Sequence, residues 1–236
     1  MLFFYIRHGT PTYSPDALTP LGKRQAEALG KRLAAYGVDK IYSSTSNRAY
    51  ETAIPTAEML GKDIEQLDFA KESHAWLELC AEQDGRKTWA FDIPEYKKLF
   101  CRDDVRLLGR KWYTHPVFAE TDFGAGMDRI QRESDAFFAS LGYEHDLEGN
   151  FYRAVKPTND RIAMFAHQGF GLAFLSCVLD IPYPIFATHF DICHSGMTAI
   201  EFAGNDVVIP RVLQLSSDSH LYKEGIMTGY NNRVRF

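Results

Sequence analysis

Cysteine is scarce: Cys80, Cys101, Cys177 and Cys193 stand far apart, with no C-x-x-C pair among them. That excludes a disulfide framework and a cysteine-rich zinc module, and it suits reduced thiols in an intracellular protein. Long apolar runs are missing too. No stretch reaches the roughly 18 residues a membrane-spanning helix needs. The apolar start, Leu2 to Ile6, has no basic region before it and runs straight into Arg7-His8, unlike a signal peptide. A soluble, cytoplasmic protein is expected. Positive charge is not in excess either: a formal net charge of −5 gives no electrostatic reason to expect nucleic acid as a partner, nor is a membrane expected. Low-complexity segments and internal repeats are absent. Hydrophobic residues at 45% and charged residues at 24% fit a globular enzyme rather than a disordered chain, and 236 residues suffice for one sizeable core with an elaborated insertion.

What is present begins at the first residues. Leu2-Phe3-Phe4-Tyr5-Ile6 is an unbroken apolar run, the pattern of a strand buried on both faces. It stops at Arg7-His8-Gly9, and charged or polar groups at a buried strand end need partners. Ligands collect at the carboxyl ends of strands in open α/β sheets, so Arg7 and His8 are placed where chemistry sits. Thr10 to Asp16 is rich in turn residues and reads as a loop. Thr19-Pro20 then caps and opens a helix that keeps its apolar spacing to Tyr36 and stops at Gly37. Asp39 to Ser43 is a second strand. Ser46 or Asn47 caps the next helix, which places Arg48 in its first turn, with Glu51 or Glu58 as possible partners. A cation there opposes the helix dipole unless an anion joins it.

Ile64 to about Leu79 reads as a short strand and loop. Residues 80–156 do not alternate strand with helix and mix aromatic with basic residues. They read as a mostly helical insertion acting as a lid, with one clear helix around Ile130 to Leu141, closed by Gly142. Arg161 to Ala166 repeats the opening design, an apolar strand followed by His167-Gln168-Gly169 and an apolar helix. Met197 to Phe202 and Val207 to Leu215 close the chain as a strand pair turned at Gly204-Asn205. The expected fold is α/β: a three-layer sandwich with a mostly parallel central sheet flanked by helices, one domain over 1–236 with the insertion in its middle.

Three strand ends thus offer Arg7 with His8, Arg48, and His167. Two arginines and two histidines at one sheet edge suit a dianionic, oxygen-rich ligand, because guanidinium groups fork onto phosphate oxygens. The carboxylates of a Mg²⁺ phosphatase and the G-K-[ST] loop of a nucleotidase are not seen. Neutralisation by protein cations is expected, with no metal and no organic cofactor. A rival cluster, His189, Cys193 and His194, lacks a fourth zinc ligand at suitable spacing.

These pieces resemble the histidine phosphatase superfamily, the phosphoglycerate mutase-like fold. The resemblance rests on Arg7-His8-Gly9-Thr10, on Leu18-Thr19-x-x-Gly22-x-x-Gln25-Ala26, on Ser43-Ser44-x-x-x-Arg48-Ala49-x-x-Thr52-Ala53, on Ala166-His167-Gln168-Gly169, and on the tail Ser219-His220-Leu221. It implies a phosphomonoester hydrolase with a small-molecule substrate. His8 would be the nucleophile forming a phosphohistidine, and Arg7, Arg48 and His167 would hold the phosphate oxygens. Thr10, Ser14 and the Gln168 backbone N–H would be minor donors. The family takes its general acid from after the second helix, which implies Glu78 within Trp76-Leu77-Glu78-Leu79, with Glu82 in reserve. Family mutases carry Arg-His-Gly-Glu-Ser, whereas Thr10-Pro11-Thr12 follows Gly9 here. That departure puts the mutase reaction third, behind a non-catalytic phospholigand-binding or scaffold role.

Overall fold

The computed structural model describes residues 1–230. Strand β1 (Leu2–Arg7) leads into a hairpin, β2 (Pro11–Tyr13) and β3 (Asp16–Leu18), where a loop was expected. Thr12 and Tyr13 are good strand formers on one side of a tight Ser14-Pro15 turn, and they pair with Ala17 and Asp16. Helix α1 (Pro20–Tyr36) starts on Thr19, whose hydroxyl accepts the Gly22 N–H at 3.1 Å, and ends on Gly37 in the left-handed region at φ 75°. A Cβ on Gly22 would lie 2.2 Å from the Thr10 carbonyl oxygen, and one on Gly9 would lie 2.7 Å from that of Gly22. Backbone meets backbone there, which fixes the segment after β1 against the start of α1. Strand β4 (Lys40–Ser44), helix α2 (Asn47–Leu60, entered from Ser46) and strand β5 (Ile64–Leu67) follow.

After β5 the expected loop is instead a 3₁₀ turn and helix α3 (Glu72–Leu79). Ala75 and Leu79, four apart, are both buried, and that tertiary anchoring turns a weakly patterned segment into helix. The next stretch is mostly helical, as expected, but two hairpins frame its helices. It opens with a hairpin, β6 (Cys80–Gln83) and β7 (Arg86–Trp89), turned at Asp84-Gly85, where both residues have positive φ. Helices α4 (Pro94–Phe100) and α5 (Asp103–Arg106), two 3₁₀ turns and α6 (Phe123–Ser140) come next, then the paired strands β8 (Tyr143–Asp146) and β9 (Phe151–Ala154). Most of its aromatic residues are core, with Trp89, Tyr96 and Tyr113 partly buried against it. Phe100 and Phe118 pack on Trp112 at 5.3 and 5.0 Å between ring centres, and Phe138 of α6 packs on Phe3 at 5.1 Å.

Strand β10 (Arg161–Ala166), α7 (Gln168–Val178), α8 (Tyr183–His189) and β11 (Met197–Glu201) complete the layers. The strand expected over Val207 to Leu215 divides. β12 (Val207–Val208) pairs with β9, and β13 (Arg211–Ser217) pairs with β11, because Pro210 cannot donate to a ladder between them. A short helix α9 (Ser219–Lys223) follows. The central sheet runs β13-β11-β1-β10-β4-β5, with the last four strands mutually parallel, β11 antiparallel to both its neighbours, and β13 therefore running with the other four. Side chains of β1 alternate between two cores. Phe3 and Tyr5 face a core shared with α3, α6 and α7, while Phe4 and Ile6 face one shared with α1 and α2. All four are essentially fully buried, each stabilising the fold by about 1.5–3 kcal/mol. Parallel pairing brings Arg7, Ala166 and Ser44 to one sheet edge. Among the described residues, no helix is long and apolar enough to cross a membrane.

Candidate active site

His8 sits one residue past β1 and is 3% exposed. Its Nδ1 lies 2.8 Å from the Gly9 carbonyl oxygen, which can only accept, so Nδ1 carries the proton and Nε2 the lone pair. Burial, then the nearby charges of His167 and Arg7, hold its pKa well below the usual imidazole value. The ring is therefore neutral, with an unprotonated Nε2. Arg48, in the first turn of α2, donates from Nε to that same Nε2 at 3.2 Å and pairs through Nη1 with Asp16 at 2.9 Å. Asp16 thus takes the place expected of Glu51 or Glu58. Glu51 instead accepts from the Leu18 N–H and the Asn47 amide.

His167 sits one residue past β10 at the cap of α7, with its ring centre 5.2 Å from that of His8. Its Nε2 is 2.8 Å from Ser44 Oγ, and that oxygen already accepts the Ser46 N–H. The hydroxyl proton can then go to Nε2, which leaves the proton of the ring on Nδ1. His167 is fully buried, and Nδ1 has no partner. Burial, then Arg48 and Arg7, hold its pKa well below normal. Arg7, 5% exposed, spends Nη1 on the Ile192 carbonyl at 2.6 Å and Nη2 on His194 Nε2 at 2.9 Å. Its Nε, also buried, has no partner. Buried polar atoms are nearly always satisfied, so two orphans beside one histidine mark a place for an oxygen-rich ligand.

The sequence-expected acid lies elsewhere. Both Glu78 oxygens are held by Arg129 of α6, at 2.6–3.1 Å. Glu82 is exposed on β6, opposite Lys87. The carboxylate brought to the site is Glu72, at the start of α3. It accepts the Gly169 and Phe170 N–H groups of α7 at 3.0 and 2.9 Å and interacts electrostatically with Arg48 and Arg7. Burial raises its pKa in spite of those bonds and cations. Sequence reasoning passed over it because the segment read as loop. Its signal was position, since it opens the helix that follows, after a short turn, the carboxyl end of a sheet strand. His194, its ring centre 5.6 Å from that of His8 and its pKa pushed down to about 3 by burial and then Arg7, was likewise missed as a site residue.

Of the minor donors, Thr10 gives both its N–H and its hydroxyl to Gln25 Oε1, Ser14 is exposed in the hairpin turn, and the backbone N–H of Gln168 opens α7 while its side-chain amide donates to Asp191. The zinc candidates have separate partners: His189 faces Arg106, Cys193 bonds Ser216, and His194 bonds Arg7. Among the described residues, no group of three or more His, Cys, Asp or Glu could hold a metal ion. The ring of Trp89, from β7, covers Gly169 so closely that a Cβ there would lie 2.3 Å from it.

Residues 3–87 match the model of the histidine phosphatase superfamily (branch 1). "Putative phosphoserine phosphatase 2" of Hydrogenobacter thermophilus is 24% identical over 151 residues, 60% of this chain and 67% of that one. Among solved structures, an Entamoeba histolytica phosphoserine phosphatase in complex with 3-phosphoglyceric acid superposes with a TM-score of 0.61 at 18% identity, covering 93% of this chain and 98% of that one. A mycobacterial glucosyl-3-phosphoglycerate phosphatase complexed with VO₃ gives 0.58 at 17% identity, covering 92% and 99%. The fold expected from sequence is the fold these proteins share.

Proposed function

We propose, proceeding from this kinship with the histidine phosphatase superfamily, that the protein hydrolyses a small-molecule phosphate monoester through a phosphohistidine on His8, without a metal ion. The observation that carries the reading is the pairing of a neutral, buried His8 Nε2 with Arg48 at 3.2 Å and with orphaned donors on Arg7 and His167 beside it. Arg48 Nε turns from His8 to a phosphate oxygen as the ester binds, and Arg7 Nε and His167 Nδ1 take others. His8 Nε2 attacks phosphorus in line, the P–O bond to the alcohol breaks, and Glu72 gives that oxygen a proton. Water then attacks the phosphohistidine, Glu72 recovers a proton from it, and inorganic phosphate leaves with His8 neutral again.

Glu72 favours this over a purely phospholigand-binding role, because binding a dianion gains nothing from a carboxylate beside it. The relatives' names support phosphoserine and phosphoglycerate esters as the first substrates to try. Gln168 supplies a backbone N–H at the start of α7, with Thr10 and Ser14 as lesser donors. The β6–β7 hairpin, with Trp89 over Gly169, is the part of the 80–156 segment placed to act as a lid. Scattered free thiols support a cytoplasmic setting. Nitrophenyl phosphate should be hydrolysed equally well after exhaustive EDTA treatment, and orthovanadate should inhibit as a five-coordinate mimic. Activity lost on chelation and restored by Mg²⁺ or Zn²⁺ would overturn the reading.

A further inference from the structure

Arg7 and His8 both hang from one loop, residues 192–196, between α8 and β11. The Arg7 backbone N–H donates to the Gly196 carbonyl at 3.2 Å, Arg7 Nη1 to the Ile192 carbonyl at 2.6 Å, and the Ser195 N–H to the His8 carbonyl at 3.1 Å. His194 adds its contact with Arg7 Nη2. Ser195, the residue behind His8, is fully buried and held at φ 57°. That left-handed backbone is disfavoured for any residue with a Cβ, so something must hold it. Its Oγ lies 3.0 Å from Nε2 of His220 on α9, and His220 is itself only 5% exposed. Without that bond the loop can relax to an ordinary backbone, and relaxation would swing the Ser195 N–H off the His8 carbonyl.

We infer that His220 is a positioning residue for the nucleophile, locking Ser195 in its left-handed turn so that the loop holds His8 and Arg7 in register for attack. The chain of contacts runs His220 to Ser195 side chain, Ser195 backbone to His8 backbone. It touches neither substrate nor reacting atoms. Burial, then the Arg32 charge, push the His220 pKa down to about 4, so the ring stays neutral and able to keep this bond at working pH. The inference rests on the proposed phosphohistidine chemistry for its kinetic readout, but not for its structural one.

The test uses His220→Ala, His220→Gln, Ser195→Ala and Ser195→Gly in the full chain. Gln can still reach Ser195 with an amide. Ala loses the hydroxyl but keeps the Cβ that disfavours this backbone, whereas Gly loses the hydroxyl and the strain together. In single-turnover assays with nitrophenyl phosphate, His220→Ala and Ser195→Ala should slow phosphoenzyme formation by roughly tenfold or more with KM changed little, because small misplacements of a nucleophile cost rate. His220→Gln and Ser195→Gly should recover most of the loss. Should one of the two Ala variants not fold, the other decides: an unchanged rate overturns the inference. Ring ¹⁵N and ¹H resonances of His8 give a second readout independent of turnover. They should shift or broaden in the Ala variants, and if they match the unsubstituted protein the clamp does not exist. An inactive unsubstituted protein would instead count against the proposed chemistry, leaving the resonance test to judge the clamp.

Discussion

Replacing Glu72 by Gln separates the general acid from the rest of the site. A leaving alkoxide, whose alcohol has a pKa far above neutral, needs a proton as the P–O bond breaks. Nitrophenolate, from an acid of pKa near 7, hardly needs one. General acid catalysis contributes typically 10²–10⁴-fold, or about 3–5 kcal/mol at 1.36 kcal/mol per decade. Glu72→Gln should lose most of that on an alkyl phosphate such as phosphoserine and only a few-fold on nitrophenyl phosphate. The substitution also disturbs the fold, because Glu72 accepts two N–H groups of α7, from Gly169 and Phe170. Gln keeps one acceptor and turns its amide toward the other N–H, a stability loss of about 1.5–3 kcal/mol for a bond to a charged group. Both substrates meet that loss equally, so the ratio of the two rates isolates the chemistry. Phosphoenzyme formation in a single turnover is the assay, since it excludes any slowing of the water step. Glu78→Gln is the control. It breaks the paired contact with Arg129 and should lower stability without changing the ratio. Equal losses on both substrates in Glu72→Gln would refute the assignment, and a selective loss in Glu78→Gln would return the role to that residue.

Stability should fall as pH drops from about 6.5 toward 5. His8 and His167 are held well below the ordinary value, His194 at about 3 and His220 at about 4, so in this window the unfolded chain takes up protons that the folded one refuses. Each such histidine contributes up to about 1.4 kcal/mol per pH unit. Glu72, pushed upward, can offset at most one of them, and His145, raised to about 9 between Asp135 and Asp180, stays protonated in the folded state and opposes the trend only slightly, near pH 6.5, where the unfolded imidazole is still half neutral. Urea midpoints that stay level between pH 6.5 and 5 would contradict this burial. For the lid, Trp89→Ala should raise KM for phosphoserine more than for nitrophenyl phosphate, because remote contacts orient a substrate's alcohol portion. Equal effects on both would point to general loosening of the hairpin.

Much of the site was legible because it lies at ends of strands with strong patterns. The apolar run into Arg7-His8 and its repeat into His167 give position and residue type together, and Ser43-Ser44 before α2 fixes where Arg48 falls. The proposed acid was not legible in the same way. Glu72 opens a helix made by burial of only Ala75 and Leu79, and its partners, Gly169 and Phe170, are some hundred residues away. Glu78 had the better local spacing, yet Arg129 from α6 claims it, and no local pattern reveals that pair. The middle segment was legible as mostly helical but not in its hairpins or its packing. Its aromatic and basic mixture suits an amphipathic cover, but Phe100, Trp112 and Phe118 pack on one another as core. The turn at Asp84-Gly85 was the readable sign of a hairpin there.

The central claim is that His8 receives the phosphoryl group. Quenching the protein with a ³²P-labelled ester during turnover should trap label that is stable in base and released in acid, and mass mapping should place it on the peptide containing His8. His8→Ala should trap none and should lose turnover. Label on another residue, or label trapped normally in His8→Ala, would contradict the account.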